Sequence, residues 1–477
     1  SPSQPRAMLA NVAGLFPVLL GTPPYTLLEG LILWPLEVYE SIAIIPVSFL
    51  RRHMPVVGGA LVILMTLHGI LLRLFLEMMH GIFARITYSH DPVFNFRTFW
   101  LGMRNRYATM ELRQIDWNFV HQLYGEALQS STNEDDLWIA LQESVAMCDD
   151  PSLVVTGGSA NAVARGRKRP QEALRRFEAA ALDIVESRHL TDCGRRVASN
   201  FVFGILNAET SPGWRIGYIC LTSMEGFVEF PLPRVDSLAT LWNQDTVLEG
   251  KSNLAVPEIY DLESMRWALD AILKTLGELD GLILDMRFNQ GGGSLASSLA
   301  VASFFMGPKQ SVAFLTDEKL TGTATQRFSR KKRHYVPSSG RSFRYGGPLV
   351  VLQSQYTRGT AEVLCMALMN RPSTCLIGNA TAGSLAQTEK LRLPNYWTVD
   401  IPVRRCFSAD GKQYEGIGVP PQKEVEQMEE RILAAVAHCH EEEHEHDGEQ
   451  SAERDESRLD DTFDPCIKKA IEHIMNV

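Results

Sequence analysis

The sequence lacks any excess of positive charge: 46 Lys and Arg stand against 56 Asp and Glu, a formal net charge of −10. Phosphate binding needs Lys and Arg clustered on one face, so nucleic acid is set aside as a partner. A cysteine framework is also missing. The eight cysteines (Cys148, Cys193, Cys220, Cys365, Cys375, Cys406, Cys439 and Cys466) are scattered, with no CxxC pair, which excludes the dense disulfide scaffolds of small secreted domains. No cofactor and no metal centre is expected. Histidine is absent between His121 and His189, a gap that matters below. What is present is ordinary for a globular protein: 45% hydrophobic and 21% charged residues in a 477-residue chain, enough for one large or two medium domains with a sizeable core.

Charge is next missing from Met54–Leu72, a run of about 19 residues whose only ionisable group is His68, bracketed by Arg51, Arg52 and Arg73. That length and apolar character on every side predict a transmembrane helix, with its extension over 54–83, in contact with membrane lipid; a buried core helix is the alternative. The basic flanks on both sides leave orientation open. Residues 1–53 are apolar too, but Pro17, Pro23, Pro24, Pro35 and Pro46 interrupt them and Glu29, Glu37 and Glu40 sit among them, so an interfacial or membrane-associated segment is expected rather than a second span. The chain opens on Ser1 rather than a methionine, the pattern left by a removed targeting peptide or by numbering alone.

Beyond Phe94 the composition changes. Apolar residues at helical spacing in Phe96–Tyr107 and Ile115–Ala127, and cap-type residues at Asn133, Asp135 and Asp136 before a further helix, predict a helical subdomain over 94–200. Within it, basic Gly157–Arg169 reads as a surface loop preceding a helix over Gln171–Arg188. Over 210–424 strands and helices alternate: strand Ile216–Leu221, helix Leu262–Leu276, strand Leu282–Asp285, helix Leu295–Phe305, strand Leu349–Gln353, helix Thr360–Met369, strand Cys375–Gly378, then a hairpin turning at Ala409–Gly411. This order predicts an α/β core with a largely parallel sheet. Residues 425–477 read as an acidic C-terminal helix and tail. Its stretch Glu441–Asp461, with His444 and His446, is expected to be solvated, weak metal binding being the lesser alternative.

One segment has a chemical reading of its own. An apolar strand running into Asn289-Gln290-Gly291-Gly292-Gly293 and then a helix places unhindered N–H groups at a strand's C-terminal edge, where an oxyanion or carboxylate can be held; a plain tight turn explains it equally well. The helix opening at Thr360 likewise presents N–H groups and its positive end toward Gly359.

Four blocks resemble the C-terminal processing (tail-specific) peptidase family, which also contains interphotoreceptor retinoid-binding protein. They are Phe96, Trp100, Tyr107, Ile115-Asp116-Trp117 and Tyr124; Leu282-Ile283-Leu284-Asp285-Met286-Arg287-Phe288-Asn289-Gln290-Gly291-Gly292; Thr357-Arg358-Gly359-Thr360-Ala361-Glu362 with Ile377-Gly378-Asn379-Ala380-Thr381-Ala382-Gly383; and Glu415-Gly416-Ile417-Gly418-Val419-Pro420-Pro421. The resemblance spans Phe94 to about Glu424 and implies a ClpP/crotonase-like α/β core. It also implies where chemistry should sit. The family's nucleophilic serine falls on Gly359, which has no side chain to attack a carbonyl. The activating lysine of some members falls on Ser384. The histidine motif of others, D-x-H-[ST], falls on Asp149-Asp150-Pro151-Ser152, with Pro151 and Ser152 in its last two places. Glu415, which orients that histidine, is kept. Gly291, Gly292, Gly293 and Thr360 would form a vestigial oxyanion-type loop. No small β-sandwich docking module is evident between the helical region and the core.

The expectation is therefore an inactive relative, serving as a structural accessory subunit of an organellar membrane complex alongside other protein subunits. The mitochondrial inner membrane with its respiratory assemblies is preferred and a plastid membrane is the alternative. A binding module for apolar ligands or peptides on the same fold is a second reading. An active membrane-anchored protease using Thr357, Thr360 or Ser354 as nucleophile is a third.

Overall fold

The computed structural model describes residues 89–130, 132–158, 162–167, 171–192, 194–227, 256–306, 312–320, 327–336, 344–445 and 463–477. The expected span Met54–Leu72 and the apolar segment before it lie outside these residues, as does most of the acidic stretch. No helix among the described residues is long and apolar enough to cross a membrane. Contacts divide the chain into two units, Ser1–Asn95 and Phe96–Val477, and the second holds the α/β core.

That core is a seven-stranded sheet. Its central strands β5 (Ile216–Leu221), β6 (Gly281–Asp285), β9 (Leu349–Gln353) and β10 (Thr374–Gly378) run parallel, with short β13 (Lys423–Glu424) beyond β10. Strands β4 (Phe201–Ile205) and β3 (Arg195–Val197) extend the β5 edge antiparallel. Every residue of β5, β6, β9 and β10 is buried, as a parallel sheet covered on both faces requires. Alternation sorts the side chains cleanly. Leu282, Leu284, Leu349 and Val351 join the core formed with helices α5 (Val256–Leu276), α6 (Leu295–Ala302) and α7 (Thr360–Leu368). Ile283, Val350 and Leu352 join the opposite core with α4 (Gln171–Ile184), α8 (Met428–Glu445) and α9 (Pro465–Met475). The α/β core with a largely parallel sheet is thus as expected.

The region before it differs from expectation. Helices α1 (Pro92–Arg106), α2 (Trp117–Val120, continued by a π-helical turn to Gly125) and α3 (Glu134–Ala146) are present. The indoles of Trp100 and Trp117 donate to each other's backbone carbonyls at 2.8 and 2.9 Å, and Asp116 and Asn133 cap α2 and α3. But Gly157–Arg169 is not simply a surface loop: β1 (Val154–Gly157) and β2 (Ala162–Arg165) pair antiparallel. They belong to a second sheet, ordered β2-β1-β12-β7-β8, built on the long strand β12 (Thr398–Ser408) with β7 (Val312–Glu318), β8 (Lys332–Tyr335) and β11 (Gln387–Arg392). The 94–200 segment is therefore mixed, not wholly helical. The strand was illegible because its partner, β12, lies some 240 residues away, pairing Val154 with Asp400. The turn expected at Ala409–Gly411 is present, closed by Gly411 N–H donating to Ser408 O, yet no strand follows it in this sheet.

The end of the chain is tied to the core by charge. Arg287, fully buried, donates to both oxygens of Asp285 and to Asp464 at 2.8 Å; the Tyr218 hydroxyl donates to Asp285 at 2.8 Å. Asp464 in turn caps α9, whose face of Cys466, Ile467, Ala470, Ile471 and Ile474 is buried. Removing one partner of a buried ion pair strands the other charge. Asp464→Ala is expected to lower unfolding free energy by about 3–5 kcal/mol, measured by urea denaturation of the whole chain; a loss below about 1 kcal/mol, the scale of an exposed pair, would show that Arg287 does not depend on it.

Candidate functional site

Two loops leave the C-terminal ends of neighbouring parallel strands, where α/β sheets gather ligand sites. One runs from β6 through Gly291–Gly293 to α6, the other from β9 through Gly359 to α7. They are clamped together: Arg358 N–H donates to Asn289 O at 2.9 Å, and Asn289 Nδ2 donates to Leu221 O at 2.9 Å. Gly291, at φ +81°, must be glycine, since a Cβ there would stand 2.8 Å from the Arg358 carbonyl oxygen and 3.2 Å from the Thr360 nitrogen.

Gly359 caps α7 with φ +55° and ψ −121°, a conformation strained for an L residue and fitting the sharp strand-to-helix turn on which hydrolase nucleophiles are carried. Space is not what keeps it glycine: a Cβ would meet nothing nearer than Ser384 O at 3.9 Å. The neighbouring hydroxyls are all spent on backbone carbonyls. Ser354 donates to Arg287 O, Thr357 to Met286 O at 2.9 Å and Thr360 to Gly292 O at 2.6 Å. Each of the three proposed substitutes for the nucleophile therefore has a carbonyl, not a base, at its proton.

The glycine loop is partly occupied by the protein itself. Gly291 N–H donates to Asn289 Oδ1 at 2.9 Å, and Gly293 N–H to the Glu225 carboxylate at 2.8 Å. Among the described residues no hydrogen bond engages the N–H of Gly292 or of Thr360, the first residue of α7. One amide of the loop, that of Gly293, thus holds a carboxylate of the protein itself; sequence reasoning missed Glu225 because nothing near it in sequence marks it.

The two segments that the resemblance marks converge. Ser384 Oγ and Ser152 Oγ lie 2.6 Å apart, although 232 residues separate them; Ser152 fills the motif's Ser/Thr place, and Pro151 before it, in the histidine's place, carries no acceptor on its ring. Behind this pair stands a nest of buried carboxylates. Glu362 accepts from Thr381 Oγ1, from the N–H of Gly383 at 2.7 Å, Ser384 at 2.8 Å and Gly359 at 3.0 Å. Burial pushes its carboxyl up, opposed by those four donors. Glu415 accepts from Leu385 and Ala386 N–H at 2.8 and 2.7 Å and faces Arg113 at 3.3 Å. Arg113 also stands 3.7 Å from Asp150, which holds the Tyr107 and Thr109 hydroxyls at 2.9 Å each and Ser152 N–H at 2.8 Å. Glu415, expected to be idle, is instead part of the site's framework. Arg113 and Arg358 were not singled out from the sequence; Arg358 was visible beside Gly359, but its burial was not.

Residues 215–425 match the model of Peptidase family S41, so this chain carries a domain of the S41 peptidase family, the family of C-terminal processing peptidases. Its fold is similar to a solved candidate peptidase from Parabacteroides merdae ATCC 43184, with 18% identity over 72% of this chain and 92% of that one and a TM-score of 0.53. It is likewise similar to mature CPAF complexed with lactacystin, with 11% identity over 81% of this chain and 99% of that one and a TM-score of 0.50. At such identities these likenesses speak to the fold alone. The four blocks of residues that carried the resemblance in the sequence fall within the matched domain or the helices that pack at its site.

Glu415 makes the site sensitive to pH. Burial first, then the negative charges of Asp150 and Glu362, push its carboxyl up to about 8, against the pull of Arg113 and an amide. Its folded pKa lies above the unfolded value, so the folded state binds the extra proton and the contribution is fully present below the unfolded pKa, lost as pH rises toward 8. Chemical denaturation between pH 5 and 8 is expected to show stability falling with pH, by at most ~1.4 kcal/mol per unit from this one proton, and Glu415→Gln is expected to flatten that slope. An unchanged slope in the variant would assign the dependence elsewhere.

Proposed function

We propose that this chain is a catalytically inactive relative of the S41 peptidases that acts as a structural accessory subunit of an organellar membrane complex. The observation that carries the reading is Gly359: the position matching the family's nucleophile keeps the turn and the helix end but offers no hydroxyl. Ser384 in the lysine's place and Pro151 in the histidine's place support it: the Ser384 hydroxyl is paired with that of Ser152 at 2.6 Å, and a proline ring offers no proton acceptor near neutral pH. Loss of nucleophile and of both bases together is harder to compensate than any single loss, and a fold outlives its chemistry when its surface is useful.

The uncharged run Met54–Leu72 supports a membrane-held protein, with lipid and other subunits as its partners. We assign it to the mitochondrial inner membrane, as a subunit of a respiratory assembly, on the ground that one span and one large domain without chemistry suit such a role. A second reading, a ligand-binding module in the old cleft, is favoured by the unengaged N–H groups of Gly292 and Thr360.

A fluorophosphonate probe is expected to leave the protein unlabelled, and Gly359→Ser, sterically accommodated but strained by about 1–3 kcal/mol, is expected to give no peptide turnover above background, because no base stands beside the new hydroxyl. Labelling abolished by Thr357→Ala, Thr360→Ala or Ser354→Ala would overturn the inactive reading. Native electrophoresis of solubilised membranes is expected to find the chain in a large complex; a free monomer throughout would remove the accessory role.

A further inference from the structure

Among the described residues, the site contains a cation left without a partner. Arg358 is 8% exposed, its Nη1 is buried without a hydrogen-bond partner, and among the described residues its side chain makes no hydrogen bond or ion pair. The nearby carboxylates are already full. The two oxygens of Glu362 take two donors each, which uses all four lone-pair sites of a carboxylate. Asp149 is committed to Arg167 through both oxygens, and Asp150 holds two hydroxyls and one amide. The β2 edge adds positive charge rather than relieving it. Arg165 is half-buried and without a partner among the described residues, and the charges of Arg165 and Arg167, after burial itself, push Arg358 below its ordinary value, opposed by Glu362 and Asp150.

A buried guanidinium with unmet donors is among the costlier features a fold can retain, and native proteins rarely keep one without a partner. Its planar fork matches a carboxylate with two parallel hydrogen bonds. Arg358 directly precedes the nucleophile position, on the loop whose far side carries the unengaged N–H of Thr360.

We infer that Arg358 forms a binding site for a ligand carboxylate beside the turn at Gly359. The inference deepens the ligand-binding reading of the site and rests on the chain not turning over peptides there. The carboxylate comes either from a small acid or from the free C-terminus of a peptide, and both present the same two oxygens to the guanidinium.

The test uses the full chain in detergent, followed by thermal unfolding and by titration calorimetry, with sodium acetate against sodium chloride at equal ionic strength. Acetate is expected to raise the unfolding midpoint saturably. Arg358→Met is expected to unfold no earlier than wild type in chloride, since it removes an unpaired buried charge, and to lose the acetate response by at least about tenfold in apparent affinity. Arg358→Lys keeps the charge without the fork and is expected to lie between. A tripeptide with a free C-terminus binding more tightly than acetate, and more tightly than its own C-terminal amide, identifies a peptide end as the source; acetate binding more tightly than the free-acid tripeptide identifies a small acid.

The inference is overturned by an acetate response that is absent in wild type or intact in Arg358→Met, by inorganic phosphate stabilising as well as acetate does, or by Arg358→Met unfolding well below wild type in chloride, which would mean that the guanidinium is already partnered inside the protein. Failure of the inactive reading shows separately, as fluorophosphonate labelling, and leaves the acetate titration to be read on its own.

Discussion

The site depends on one carboxylate with four donors. Glu362 sits on the first turn of α7, and its oxygens gather the N–H of Gly359 behind it, the hydroxyl of Thr381, and the N–H groups of Gly383 and Ser384 on the loop after β10. A charge buried to this depth persists only if every lone pair is met. The requirement therefore fixes three backbone segments at once: the turn before α7, the loop carrying Ser384, and the helix end itself. Geometry of that kind needs no side chain at Gly359, and it holds the turn with φ +55° in place.

Around that centre the architecture divides labour between its two sheets. The parallel sheet delivers the glycine loop and Gly359 from adjacent strands β6 and β9, whose pairing places Leu282 opposite Leu349 and Asp285 opposite Leu352. The antiparallel sheet brings further residues to the same place. Its β1–β2 hairpin follows Asp150 and Ser152 directly and carries Arg165, while the turn beyond β12 leads to Glu415. The helical opening serves the same end: Tyr107, one of the residues that gave the resemblance, is buried and spends its hydroxyl on Asp150.

Much of this was legible in the chain. Strands β5 and β9 stand where apolar runs of the right length placed them, and α7 opens at the expected Thr360, because buried parallel strands and capped helices leave local signatures. What escaped was non-local. The β1–β2 hairpin looked like a basic loop, since its apolar residues, Val154, Val155 and Ala164, are too few to show a period and its partner strand lies far along the chain. Ser384 could be named as matching the family's lysine place and Ser152 as closing its histidine motif, but not that they touch. The role of Arg358 was hidden for the opposite reason: arginine is ordinarily exposed, and only the saturation of the carboxylates around it turns a routine residue into an unusual one.

The attachment of α9 has a consequence for how the polypeptide tolerates interruption. The helix meets the sheet through an apolar face and through the Asp464 contact with Arg287, and Ile474 packs so closely over Gly281 that a methyl group added there would stand 2.4 Å from it. All of these contacts are made by residues from Asp464 onward. A backbone scission between α8 and α9 would thus leave the last helix docked as a bound fragment, and two polypeptides would migrate as one body until denatured.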